Sequence, residues 1–485
     1  MIRMEASQRP PSVFLTVARR EIVLLWRERS LPIVVVLLSA LLVGGVANGV
    51  LRIDERDALL SRLTGEQSKR FEALAAQIGS AEASREPTPV ASPTALVTNP
   101  GSQYAMMPTA PLAPLALGQS DLLPNHLQVV GQSEASFLYE SDIENPWHLS
   151  AGHFDVAFVV VFLLPLLVFG LGYNLLSAER EQGTLRLLLA QPVSPIAVTL
   201  GKAAARAAVL AAPLFVVPLS ALLLFRPVED RNEFFIAYGL WSALALGYGL
   251  FWLALAILVN TLGKSSAFNA MALVGAWLVL TLAAPVALNL VVDASYPTPS
   301  RTIMVEMLNR AMDEAARHSA DLDRTDYDTL RDPTPKDGKA VLQPTLLRAL
   351  KMHQEISETM RPWVRNYETR AAERRDFVDA FRIVSPAAIA FEGMSDIAGT
   401  SFDRYSRLQH AAAEFYRDKM GRALPRISTR TLLTEAEFRT APRFVWTEDR
   451  IAETVSRGAS SLMQLLVPTA LISAWGLLRL RRLSI

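Results

Sequence analysis

Apolar residues are gathered into six runs along the chain: Leu31–Leu51, Phe154–Ala178, Ala207–Phe225, Phe234–Val259, Ala267–Val292 and Leu462–Leu478. Each has about the length a helix needs to cross a ~30 Å hydrocarbon core, roughly 20 residues. Between and before the runs the pattern changes. Over Ser12–Ser30, Thr16, Arg19, Arg20 and Arg27 share one arc, while Phe14, Leu15, Ala18, Ile22, Leu25 and Trp26 fall largely elsewhere. That predicts an amphipathic helix lying along a membrane interface, with Glu21 and Val23 as the residues that spoil it. Asp54–Ile78 is helical in period, and eight prolines between Pro87 and Pro124 then predict an extended strap or loop. Arg301–His318, Leu346–Ile383 and Phe402–Met420 read as amphipathic helices, with a polar turn over Asp321–Gly338. Thr447-Glu-Asp-Arg450 reads as a capped helix start that leads into the last apolar run.

The pattern predicts an all-α polytopic membrane protein with six transmembrane helices and two extracytoplasmic insertions, the second mainly helical. The expected order is an interfacial helix over 1–30, a first span 31–51, an outer segment with a Pro-rich stretch 52–153, and a second span 154–178. A cytoplasmic coupling loop 179–206, spans 207–225, 234–259 and 267–292, an outer helical domain 293–461, a sixth span 462–478 and a tail 479–485 complete it. Arg3, Arg9, Arg19, Arg20, Arg27 and Arg29 precede the first span; Arg180, Arg186, Lys202 and Arg206 follow the second. Lys264 lies in the fourth-to-fifth hairpin, and Arg479, Arg481 and Arg482 follow the sixth span. Positive flanks stay inside, so both termini are expected in the cytoplasm, with the protein in the inner membrane of a bacterium.

Composition narrows the chemistry. Apolar residues make up 51% and charged residues 20%, and 48 basic against 47 acidic side chains leave a net charge of +1, so no basic field points to nucleic acid. Absence of cysteine removes disulfides, thiolate metal sites and cysteine nucleophiles. Gly263-Lys264-Ser265 resembles the end of a phosphate loop, but Leu258 stands where that loop needs glycine, so the chain is not expected to hydrolyse ATP by that route. Gly393-Met-Ser-Asp396 has no histidine base in any span, and the six histidines form no close ligand pair. In Asp321–Asp328, Asp326 takes the place where a calcium loop needs glycine. No enzyme and no metal are expected. Within the spans only Asp155, at the edge of the second, is ionisable, so a proton relay is not expected either. Tyr173, Asn174, Tyr248, Asn260, Asn269 and Asn289 are the expected polar lining of an otherwise apolar path, which leaves the substrate open.

The informative segment runs from Ser177 to Pro195, Ser-Ala-Glu-Arg-Glu-Gln-Gly-Thr-Leu-Arg-Leu-Leu-Leu-Ala-Gln-Pro-Val-Ser-Pro. Gly183 breaks the emerging span, Thr184 can cap a short helix over Leu185–Ala190, and Pro192 ends it. A short leucine-rich helix outside the membrane needs a partner to bury it. The segment resembles the coupling-helix region of ABC-2 type export permeases, in which Glu-x-Gly-Thr-Leu precedes a Leu-Leu-x-x-Pro pattern. The large insertions further resemble the class described as serving multicopper-enzyme maturation. The resemblance implies a separate ABC ATPase subunit, contacted through Glu179, Glu181, Gly183, Thr184, Leu185 and Leu188. It also implies a second permease chain, as homo- or heterodimer, in membrane lipid, and places ATP and magnesium in the partner, with no cofactor in this chain. The expected function is an ATP-driven exporter. The alternative is a membrane anchor or mechanotransmitter acting on a periplasmic protein without moving substrate.

Overall fold

A computed structural model of the chain describes residues 13–84, 91–97, 101–118, 123–130, 154–185, 187, 190–191, 193–226, 230–297, 301–330, 344–429 and 431–482. Among them, six helices are long and apolar enough to cross a membrane: Ser30–Ala83, Val156–Glu181, Pro195–Phe225, Arg231–Asn260, Ser266–Ser295 and Ile451–Arg482. Each of the six apolar runs in the sequence overlaps one of them, and five lie wholly within; the second run starts two residues ahead of its helix. The helix expected at the interface is α1 (Val13–Arg27), and α2 (Ser30–Ser84) joins the first apolar run and the helix expected after it in one piece. Its 55 residues make a rod about 80 Å long, against a hydrocarbon core of about 30 Å. The second span is α3, helical over Val156–Phe158, π-helical over Val159–Leu163 and α-helical again over Leu164–Gly172, followed by α4 (Ser177–Glu181). Then come α5 (Pro195–Phe225), α6 (Arg231–Asn260) and α7 (Ser266–Ser295, π-helical over Leu278–Ala283).

The span core is built around α6, of which 67% is buried inside the chain, against 11% of α7 at the edge. Trp241, Tyr248 and Trp252 on α6 are fully buried, and Trp252 meets Phe169 of α3 edge to face at 5.4 Å. Two of the prolines within spans are accommodated by hydrogen bonds from neighbours. Pro165 has no N–H to give the Val161 carbonyl, and the Tyr248 hydroxyl donates to it at 2.9 Å. Pro285 likewise leaves the Leu280 carbonyl open in the π-helical stretch, and Ser385 donates to it at 2.9 Å.

The parts away from α1 are helical with one small sheet. α8 (Arg301–Leu330) and α9 (Pro344–Phe381) pair through Ala311, Ala315, Ile356, Met360 and Trp363. The first part of the turn expected over Asp321–Gly338 is helical, since α8 continues to Leu330, and the rest lies outside the described residues. In the Pro-rich segment β1 (Gln103–Met106) pairs antiparallel with β2 (His126–Val129), and both pack on α11 (Phe402–Thr429). α12 (Glu435–Arg439) closes on the outer part of α2 through Phe438, Leu433, Leu74 and Ile78. The last span, α13, starts at Ile451 and not at Thr447. The two acids expected in its first turn are taken by arginines: Glu448 by Arg404, and Asp449 by Arg407 and Arg457.

Between α9 and α11, α10 (Pro386–Ile397) sits in the same core cluster as the spans. Its approach to them depends on glycine. A Cβ on Gly393 would lie 2.7 Å from Leu244 of α6 and 2.8 Å from Ser461 of α13. Gly393→Ala should therefore destabilise by about 1–3 kcal/mol through overpacking. Gly421→Ala, where no atom lies within 4 Å, should be neutral or stabilising, since alanine is the better helix former. Thermal unfolding of the two variants in detergent checks this; equal midpoints would refute the close packing of α10.

Candidate functional site

The second span breaks just before the segment singled out in the sequence. α3 stops at Gly172, the chain turns, and α4 begins at Ser177. A broken helix frees carbonyls and amides that lipid cannot satisfy. Side chains from neighbouring helices take them. Asn260, the last residue of α6, donates Nδ2 to the carbonyls of Gly172 (2.9 Å) and Ala256 (2.8 Å), and its Oδ1 accepts from the Leu176 amide at 3.1 Å. Asn269 of α7 donates to the Tyr173 carbonyl at 3.1 Å and to Asn260 Oδ1 at 3.3 Å. Both asparagines are fully buried. The sequence led us to expect them on the lining of a path; they instead clasp a helix break, and Tyr248, expected there too, is likewise a fully buried internal donor.

Arg206 of α5 reaches the same break, donating to the Leu171 carbonyl and, at 3.0 Å, to Asn174 Oδ1. Its charge is met by Glu21 of α1, with Nε and Nη2 at 2.9 and 2.5 Å from Oε1. The two side chains are only 9% and 8% exposed, so each ion depends on the other for its desolvation to be tolerable. Glu21 thus breaks the amphipathic pattern of α1 because it faces α5.

Of the residues expected to contact a partner, Glu179 is half-buried and pairs with Lys202 of α5. Glu181 is exposed and accepts from the Ser266 amide (2.7 Å) and hydroxyl (2.9 Å), placing a carboxylate on the first turn of α7, where the helix dipole favours it. Gly183 has φ +72°, the left-handed conformation of a helix C-cap, and its amide donates to the Arg180 carbonyl at 3.1 Å. No atom would crowd a side chain there, so it is the backbone angle that selects glycine. Thr184 is exposed, with its hydroxyl on the Glu179 carbonyl at 3.2 Å. Leu185 is half-buried, Leu187 is 70% exposed, and Leu188 lies outside the described residues.

No nucleophile, base or reactive centre is assembled by these contacts. What they assemble is a junction, in which residues 171–184 are tied directly to α5, α6 and α7, and through Arg206 of α5 to α1, at one end of the bundle. Sequence reasoning missed Glu21, Lys202, Arg206 and Ser266 as members of it. The signals were present: a single acid out of phase on α1, and an arginine one position before an apolar run.

A family model described as ABC-2 family transporter protein matches residues 15–482. The match is to that family as a whole and does not extend to the multicopper-enzyme class. Comparison with curated proteins found no match.

Because removing one partner leaves the other charge buried alone, Glu21→Ala should cost about 3–5 kcal/mol. The double variant Glu21→Met/Arg206→Met should recover much of that loss. Unfolding midpoints of the two variants against the unaltered chain decide it, and a harmless Glu21→Ala would show that the pair does not hold α1 to α5.

Proposed function

The chain belongs to the ABC-2 transporter family, as a multi-pass membrane permease subunit and not a catalytic one, and from that membership we propose that it is an exporter driven by a separate ATPase. The observation that carries this reading is the junction around residues 171–184. An apolar side chain, Leu187, stands 70% exposed beside a segment gripped by α5, α6 and α7, with α1 joined to it through Arg206. A partner seated on Leu185–Ala190 would bury that leucine and, by moving the segment, would move those helices together. ATP and magnesium belong to the partner. The Arg- and Lys-rich flanks at this end support a reading in which it lies, with both termini, in the bacterial cytoplasm, with the C-terminal part of α2 and with α8, α9, α11 and α12 on the far side.

A second permease chain completes the transport path. α7 offers it Met271, Val279, Val286 and Leu290, all more than half exposed on an edge helix. One observation favours the alternative of force transmission to a periplasmic partner. α2 and α13 each run from membrane to outer domain without a break, so motion at the junction end would reach the outside as rigid-rod motion.

Two measurements test the reading. Burying one leucine contributes roughly 1.5–3 kcal/mol, so Leu187→Asp should weaken ATPase association by at least about tenfold. Co-purification at matched expression reads this out, and full retention of the ATPase would remove the loop as its docking site. For sidedness, the cysteine-free chain allows single-cysteine labelling in intact cells. Thr369→Cys should react with an impermeant maleimide and Ser194→Cys should not, both positions being exposed; the reverse pattern would invert the orientation.

A further inference from the structure

Far from the junction, a cleft of about 390 Å³ opens between α2, the segment leading into β1, α11 and α12. That volume lies within the about 300–1,000 Å³ typical of small-molecule sites. One wall is apolar: Phe71 and Phe438 stack with ring centroids 4.5 Å apart, flanked by Leu96, Leu433 and Pro425. The opposite character comes from Arg70, Lys419, Arg422 and Arg426, against the single acid Glu437.

Two of these cations are already neutralised. Arg422 donates to both oxygens of Asp418 at 3.1 Å. Arg426 lies 2.6 Å from Glu437 and holds that carboxyl down to about 2. The other two are not. Among the described residues no carboxylate pairs with Lys419 or Arg70. Lys419 is only 7% exposed, and its ammonium donates to the Gly101 carbonyl at 2.7 Å; an ammonium has three protons to place. Arg70 lies over the Tyr104 ring at 5.9 Å. Burial pushes the Lys419 ammonium down to about 8, which still leaves it mostly charged at neutral pH.

A buried cation without a counterion is costly, and here it sits beside an apolar wall in a cleft of ligand size. We propose that this cleft binds an amphipathic anion, its acidic head neutralising Lys419 and Arg70 and its apolar tail lying against Phe71 and Phe438. The head is a carboxylate or a phosphate, as in a fatty acid or a lysophospholipid. The site is independent of the ATPase-docking loop, so failure of either reading leaves the other standing.

The test uses the full chain in lipid nanodiscs, with heats from empty nanodiscs subtracted, and three probes of equal tail: decanoate, decyl phosphate and decanol. At pH 7 at least one anion should bind saturably at one per chain, with decanol at least about tenfold weaker, and the tighter anion identifies the head group. Lys419→Met should weaken anion binding at least about tenfold, the loss of a charge-assisted hydrogen bond. Arg70→Gln, on a different helix, should weaken it in the same direction and guards against misfolding of the first variant. Equal binding of decanol and the anions, unaltered binding by both variants, or no saturable binding of either anion would each overturn the proposal.

Discussion

Lipid offers no hydrogen bond, and the break in the second span is possible only because asparagine and arginine side chains supply what lipid cannot. Asn260 alone satisfies carbonyls on both its own helix and α3, and the Leu176 amide as well. With Asn269 and Arg206 it turns an irregular backbone into a closed set of partners. The consequence reaches beyond stability. Because donors come from α5, α6 and α7, the broken span cannot shift without those helices. Glu21 extends the dependence to α1, since Arg206 is tolerable at this depth only with its carboxylate.

The same accounting recurs further along the spans. Pro165 and Pro285 each follow a π-helical stretch, and each opens a carbonyl that a side chain from another element closes: Tyr248 on α6 in one case, Ser385 ahead of α10 in the other. Proline here does not hinge a helix freely. It creates a docking point, and in the second case the docked element is α10, seated in the span core by Gly393 and Gly458.

Much of the architecture was legible because it rests on segregation of apolar residues, which survives without tertiary information. The six spans, the amphipathic α1 and the helices α8, α9 and α11 follow from period and length. Boundaries were less legible where tertiary contacts overrode local signals. Thr447-Glu-Asp-Arg450 has the composition of a helix start, yet Arg404, Arg407 and Arg457 claim its acids and the helix waits until Ile451. The small sheet was hidden for a related reason: β1 and β2 are four residues each, amid prolines, and are held by packing on α11 and not by strong strand propensity. At the candidate site, the motif gave the segment but not its grip. Asn260 and Asn269 read as polar residues on a path because a period cannot say whether a polar side chain faces water or a broken backbone.

Those grips single out α7. Its first turn is held by Glu181 through Ser266, and its middle is held by Ser385 through the Leu280 carbonyl. One helix therefore touches both the loop at the α1 end and the element that carries α10. Its most apolar stretch is also the least buried among the six spans, 11% against 67% for α6. Displacing a helix costs roughly in proportion to the packed surface it gives up, so within a single chain α7 resists movement least while α6 resists most. Under the proposed function, movement of the loop would therefore pass to α10 along α7 before it disturbed the core around Trp241, Tyr248 and Trp252. Under the same proposal, a second chain seated on the exposed face of α7 would raise that cost, and the surface between the two chains would also be the route from the loop to α10.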